Sequence, residues 1–168
     1  MTMERAAALA VVAQVADPEM PMLTLEDLGV VRGVQVEGDT VTVTITPTYS
    51  GCPAMDAIRQ HIEHVARRRG YTASVQTRLS PAWTTDLMSA TGRDKLREFG
   101  IAPPGQRSDQ GSDVVRYPVG VSLTIRRVTC PLCGSGDTQE ISRFGSTACK
   151  ALRRCNECGE PFDEFKSI

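Results

Sequence analysis

Four of the chain's six cysteines fall into two pairs, Cys130-Pro131-Leu132-Cys133-Gly134 and Cys155-Asn156-Glu157-Cys158-Gly159. Two residues between cysteines let one tight turn aim both thiolates at a single ion, and the following glycine permits the positive φ such a turn uses. Between Cys133 and Cys155 lie 21 residues, enough for a β-hairpin that bends near 142–145. The spacing therefore predicts a ribbon whose two knuckles complete a tetrahedron around one metal ion. Zn2+ and a single iron both suit four sulfurs. Zinc is the default for a closed structural site, whereas iron would make the ribbon an electron carrier of the rubredoxin kind. Four thiolates leave no open position for a substrate, so hydrolysis at this ion is excluded.

Cys52 stands before Pro53, and this pair predicts a helix start with Cys52 in the cap position. There the positive end of the helix would stabilise a thiolate and make it reactive or metal-binding. The alternative is an inert core thiol, since free cysteine is among the most buried residue types. Cys149 is out of knuckle spacing with Cys155 and reads as non-ligating. His61 and His64 read as solvated surface residues, and Arg67-Arg68-Arg69 as cations that offset a helix C-terminus. Asp17, Glu19, Glu26 and Asp27 read as solvated loop carboxylates.

The elements that must position these residues follow from periodicity. An Ala/Leu/Val-rich run over 4–15 predicts a helix stopped by Asp17-Pro18-Glu19-Met20-Pro21. Residues 30–37 and 40–46 predict a hairpin turning at Gly38-Asp39. In its second strand Val41, Val43 and Ile45 alternate with threonines, which implies one buried face. Met55, Ile58, Ile62 and Val65 recur at helical spacing until Gly70. Alternation over 71–79 predicts a third strand, and 86–99 a closing helix. The order α-β-β-α-β-α describes an α+β sheet with helices on one face. Pro103-Pro104-Gly105 and Gly111-Ser112 give 101–118 the composition of a linker. A further strand over 119–128 then leads into the β-rich ribbon.

Composition narrows the function classes. The apolar fraction of 40% and charged fraction of 23% are ordinary for a globular chain. A net charge of −1 supplies no basic field for nucleic acid. Residues 1–13 lack a basic start with a long apolar run, and no stretch reaches the roughly 18 apolar residues of a membrane span, so a cytoplasmic protein is expected. Cysteines in that reducing compartment point to metal ligation rather than disulfides. No P-loop, dinucleotide fingerprint, G-x-S-x-G or H-E-x-x-H motif is present, so catalysis is not expected.

With these residues in place, Asp17-Pro18-Glu19, Glu26-Asp27-Leu28-Gly29, Thr48-Tyr49-Ser50-Gly51-Cys52-Pro53 and Ser80-Pro81-Ala82-Trp83-Thr84-Thr85-Asp86 resemble the small domain of the iron–sulfur cluster assembly family. The stretch from the first cysteine pair through Phe144-Gly145-Ser146-Thr147-Ala148-Cys149-Lys150 to Glu160-Pro161-Phe162-Asp163 resembles the tail of the phenylacetate-degradation PaaD proteins. The resemblance implies an assembly-type domain over 1–100, a linker over 101–118 and a four-cysteine zinc ribbon over 119–168. It also implies an accessory role in maturing the phenylacetyl-CoA ring epoxidase, whose reductase or di-iron oxygenase subunit would be the client. Cys52 takes the position of that family's Gly-Cys-Pro cysteine, which handles an iron–sulfur cluster or iron. One cysteine cannot complete a cluster site, so a homodimer, a client thiol or a small thiol would supply the other ligands. The competing functions are a rubredoxin-like electron carrier and a zinc-braced protein-binding adaptor.

Overall fold

The computed structural model describes residues 5–49, 51–105, 114–116, 122–124 and 127–167. The chain divides into two compact units, Met1–Lys95 and Leu96–Ser167.

The first unit contains α1 (Arg5–Ala13), α2 (Leu25–Leu28), β1 (Val31–Glu37), β2 (Thr40–Ile45), α3 (Met55–Arg67), β3 (Thr72–Thr77) and the start of α4 (Ala90–Glu98). Its sheet has the order β1-β2-β3, with β1 antiparallel and β3 parallel to β2. The period-2 reading of β2 holds, because Val41, Val43 and Ile45 are almost fully buried while Thr42 and Thr44 lie on the opposite, half-open face. On α3 the buried stripe is Ile58, Ile62 and Ala66, and Met55 and Val65 of the predicted stripe sit at its half-buried margins. The helix packs on β3, α1 packs on β1, and the two helices touch each other. Both therefore cover the same face of the sheet. Full burial of each large aliphatic side chain here stabilises the unit by about 1.5–3 kcal/mol.

Two of the four carboxylates expected in solvent are buried, Asp17 and Asp27. Pattern reading places acids outside, but both satisfy backbone amides that the irregular segment between α1 and β1 would otherwise leave without partners. Asp27 is the centre of a polar joint. Thr24 caps α2, with its hydroxyl accepting from the Asp27 amide at 3.1 Å while Asp27 Oδ2 accepts from the Thr24 amide at 2.9 Å. Lys95 Nζ of α4 donates to the same Oδ2 at 2.6 Å, and the Ser89 hydroxyl reaches Oδ1 at 3.3 Å. Burial pushes the Asp27 carboxyl up, but Lys95 and the Thr24 contacts outweigh it and hold the group below its ordinary value of 3.8. Gly29 ends α2 in the left-handed region, φ +66°, where an added Cβ would stand 2.1 Å from the Leu87 carbonyl oxygen. Trp83 closes the joint by donating from Nε1 to the Leu28 carbonyl at 2.7 Å.

The second unit holds β4 (Ile101–Ala102), β5 (Val114–Arg116), β6 (Ser122–Thr124), β7 (Thr138–Ser142), β8 (Lys150–Cys155) and β9 (Pro161–Phe165). The main sheet has the order β4-β9-β8-β7, and β5 pairs with β6 as a separate hairpin. The predicted hairpin between the cysteine pairs is β7 and β8, antiparallel, with a bulge between Glu140 and Ser142. The stretch read as linker begins instead with β4, whose Ile101 and Ala102 are buried and pair in parallel with β9. Most of that stretch, and most of the strand expected over 119–128, lies outside the described residues; within 119–128 the structure shows β6.

Two stability measurements test the Asp27 joint. A carboxyl held below its ordinary pKa adds stability that is present above the unfolded value near 4 and is lost as pH falls through the folded value. Asp27→Asn is therefore expected to lower stability at pH 7 by about 2 kcal/mol and to flatten the loss of stability below about pH 4, as read by urea unfolding across pH. Gly29→Ala is expected to destabilise by about 3 kcal/mol or more. Gly38→Ala, at φ +59° with open space around it, should cost only about 1 kcal/mol.

Candidate metal centre and thiol site

The two knuckles are built alike. In the first, the Cys130 amide donates to the Ser135 carbonyl at 2.8 Å and the Gly134 amide to the Cys130 carbonyl at 2.9 Å. In the second, the Cys155 amide donates to the Glu160 carbonyl and the Gly159 amide to the Cys155 carbonyl, both at 3.0 Å. Gly134 and Gly159 adopt φ +80° and +79°, as the glycine after each pair predicts. The structure brings all four predicted sulfurs within 4.8 Å of one another. Cys133 Sγ lies 3.5 Å from Cys155 Sγ, and Cys130 Sγ lies 3.9 Å from Cys158 Sγ. A tetrahedron with zinc–sulfur bonds of about 2.3 Å has edges of about 3.8 Å, so the donor set fits one such ion. Cys130 and Cys155, the first of each pair, are buried, whereas Cys133 and Cys158 are exposed. Ala102, Val128 and Phe162 pack with the two buried sulfurs as a small core.

Backbone amides face the sulfurs, as a thiolate cluster requires. The amides of Cys158 and Glu157 and the thiols of Cys133 and Cys158 favour the Cys155 thiolate against burial and bring its pKa down to about 7. The Ser135 amide favours a Cys133 thiolate, but the neighbouring sulfurs, Cys155 first, and desolvation outweigh it and push Cys133 up to about 12. At Cys158 the Glu160 amide likewise favours ionisation, yet desolvation and the adjacent sulfurs leave the pKa raised. A divalent cation supplies the charge that lets all four sulfurs ionise together.

Cys149 and Cys52 lie outside this group. Cys149 is buried, with its sulfur 3.0 Å from the Thr147 hydroxyl. Cys52 is half-buried in the first unit and does not cap α3. The cap is Ala54, and Cys52 instead occupies consecutive turns in which its amide donates to the Tyr49 carbonyl at 3.3 Å and its own carbonyl accepts from the Met55 amide at 3.4 Å. Pro53 enters this turn instead of the helix, so the dipole argument for a thiolate is weakened by the added separation.

Cys52 lines a cavity of about 20 Å3 together with Asp17, Leu28, Val30, Ile45, Thr46, Pro47, Thr48, Met55 and Ile58, room for about one water. Asp17 Oδ1 accepts from the amides of Glu19 and Met20 at 2.9 and 2.8 Å. Burial raises the Asp17 pKa above its ordinary value, and the two amides only partly offset this. Thr46 is 1% exposed, and its hydroxyl has no hydrogen-bond partner among the described residues. The thiol thus shares a small chamber with a carboxyl that favours its proton and a buried hydroxyl. Sequence reasoning did not join these groups; an acid set among buried apolar residues directly before proline was the available signal. His61 and His64 are exposed, as read.

The comparisons with known proteins follow the same division. The model of the PaaD zinc beta ribbon domain matches residues 116–166, and that of the iron-sulfur cluster assembly protein family matches residues 5–76. A protein of Escherichia coli (strain K12), named as one of the subunits of 1,2-phenylacetyl-CoA epoxidase, is 46% identical over 160 residues, 95% of this chain and 90% of that one. The chain belongs to the PaaD family. An "Fe-S protein maturation auxiliary factor" of Porphyromonas gingivalis is 39% identical over 92 residues, 52% of this chain and 82% of its own length. Among solved structures, a DUF59 domain from Bacillus anthracis covers 55% of this chain and 90% of its own at 24% identity and a TM-score of 0.50, which supports the shared fold. Family membership and that match agree with the α+β reading, an assembly-type domain followed by a β-rich ribbon. No helix among the described residues is long and apolar enough to cross a membrane.

The partnerless Thr46 hydroxyl carries a stability test. Thr46→Val removes a buried polar atom without changing shape, so it should raise unfolding free energy by about 1 kcal/mol, whereas an isosteric change at a satisfied hydroxyl would lower it. Denaturant melts of the two proteins check the sign.

Proposed function

We propose that this protein is a non-catalytic maturation factor for the phenylacetyl-CoA epoxidase system, in which Cys52 handles an iron–sulfur cluster or iron bound for a client subunit and the ribbon is braced by one zinc. The observation that carries this reading is the separation of two kinds of thiol. Cys130, Cys133, Cys155 and Cys158 supply a complete tetrahedral donor set, and a complete set is suited to bracing rather than exchange. Cys52, half-buried in the assembly-type unit, supplies a single soft ligand, which suits a cargo that must leave. The name of the P. gingivalis relative supports maturation, and the name of the E. coli relative supports the epoxidase as its setting.

When bound, zinc would supply a crosslink between the two knuckles, held by those four cysteines. The cargo needs further ligands beyond Cys52, from the client, from a second copy of the chain or from a small thiol. The Asp17 carboxyl, with its raised pKa, stands at the same cavity as an acceptor for the proton that Cys52 releases on ligation. Thiols kept reduced for both tasks favour a cytoplasmic location.

The reading predicts one zinc per chain in both wild type and Cys52→Ala purified anaerobically, with substoichiometric iron and sulfide in wild type alone. Client subunits produced alongside Cys52→Ala should lose most of their cluster content. Full cluster loading with Cys52→Ala would sink the reading. Iron filling the ribbon without sulfide, unchanged by Cys52→Ala, would make the protein an electron carrier.

A further inference from the structure

The loop between β7 and β8 holds an aromatic ring in solvent on a rigid mount. Phe144 is 70% exposed, the most open of the large apolar side chains described. Its amide donates to the Ser142 hydroxyl at 3.2 Å. The next residue, Gly145, donates from its amide to the Lys150 carbonyl at 2.7 Å, and a Cβ there would meet Asp163 Oδ1 at 2.7 Å. Asp163 Oδ2 is held from two sides, by the Ser146 hydroxyl at 2.9 Å and by the buried Lys150 ammonium at 3.3 Å. Lys166 fixes the other side: its amide donates to the Cys149 carbonyl at 2.9 Å, and its ammonium donates to the Ala148 carbonyl at 2.7 Å while standing 4.5 Å over the Phe144 ring.

This arrangement works against the hydrophobic effect at one point. A lysine is buried and a carboxylate is neutralised to shape a loop whose outer residue is a solvent-facing phenyl ring. None of these contacts buries the ring, so the loop's rigidity serves the position of Phe144 and not its removal from water. A fixed aromatic loses little conformational freedom on binding, which is the property of an interface hot spot. The charges around it are one-sided. Arg143 beside the ring in sequence is cationic and Lys166 stacks on it, while Asp163, the acid of the same loop, is already engaged by Lys150 and Ser146.

We infer that the Phe144 loop is the surface by which the ribbon docks on its client, a protein presenting an apolar pocket with a carboxylate rim. The inference rests on the reading that the chain serves a client in the epoxidase system. A protein pocket fits better than a lipid surface, because one ring of fixed orientation offers shape but little insertable area.

Full-length protein would be measured by biolayer interferometry against the purified remaining subunits of the epoxidase. Phe144→Ala is expected to weaken Kd by about 30-fold or more, with zinc content and melting temperature unchanged. Arg143→Glu should weaken it by about tenfold at low salt and less at high salt. Leu79→Ala, an exposed apolar residue of the first unit at 59%, should stay within about twofold. If wild type binds and Phe144→Ala binds equally well, the docking assignment fails while the client reading stands. If wild type binds none of the subunits, the client reading fails and takes this inference with it. Sedimentation with phosphatidylserine and phosphatidylcholine vesicles that Phe144→Ala abolishes would overturn the protein partner in favour of a membrane.

Discussion

Four sulfur atoms within 4.8 Å of one another cannot all carry negative charge unless a cation lies among them. The second unit is arranged around this constraint. Its two knuckles aim their thiols inward from two short turns, and the strands β7, β8 and β9 connect those turns. Around the cluster, Ala102, Val128 and Phe162 join Cys130 and Cys155 as the buried set. A core of that size cannot hold the two turns together by burial alone. The metal crosslink is therefore the natural source of the ribbon's stability, and its closed coordination separates it from any chemistry at Cys52.

The first unit solves a different problem. It has a conventional core beneath one sheet face, and its distinctive features lie in the irregular segments around that core. Asp17 and Asp27 are ten residues apart in sequence and similarly inaccessible to solvent, yet their pKa values move in opposite directions. Asp27 faces the Lys95 ammonium as well as amide and hydroxyl donors, and together these outweigh desolvation. Asp17 receives two amides but no cation, and burial prevails. One carboxylate is thereby a structural joint that ties α2 to α4. The other is a polar group that holds its proton more tightly than usual, beside a cavity and a thiol. Their different partners, and not their exposure, assign them to structure and to chemistry.

Much of this protein could be read from the chain. The two C-x-x-C-G pairs predicted the four converging sulfurs because ligand spacing is a local property of a tight turn, and glycine at positive φ is a local requirement of that turn. Val41, Val43 and Ile45 marked the buried sheet face because period-2 burial needs only one strand to be visible. Tertiary structure alone decided the rest. Asp17 and Asp27 became buried because distant segments bring them partners or walls: Lys95 and Ser89 for one, the Ile45-Thr46-Pro47 corner and the Cys52 turn for the other. Cys52 left the helix cap because the chain needs turns after Tyr49 before α3 can lie on the sheet, a demand of packing that Pro53 does not reveal. Ile101 and Ala102 paired with Asp163 and Glu164 of β9 because their apolar side chains found a sheet edge far away in the chain, beyond the reach of any pattern read locally.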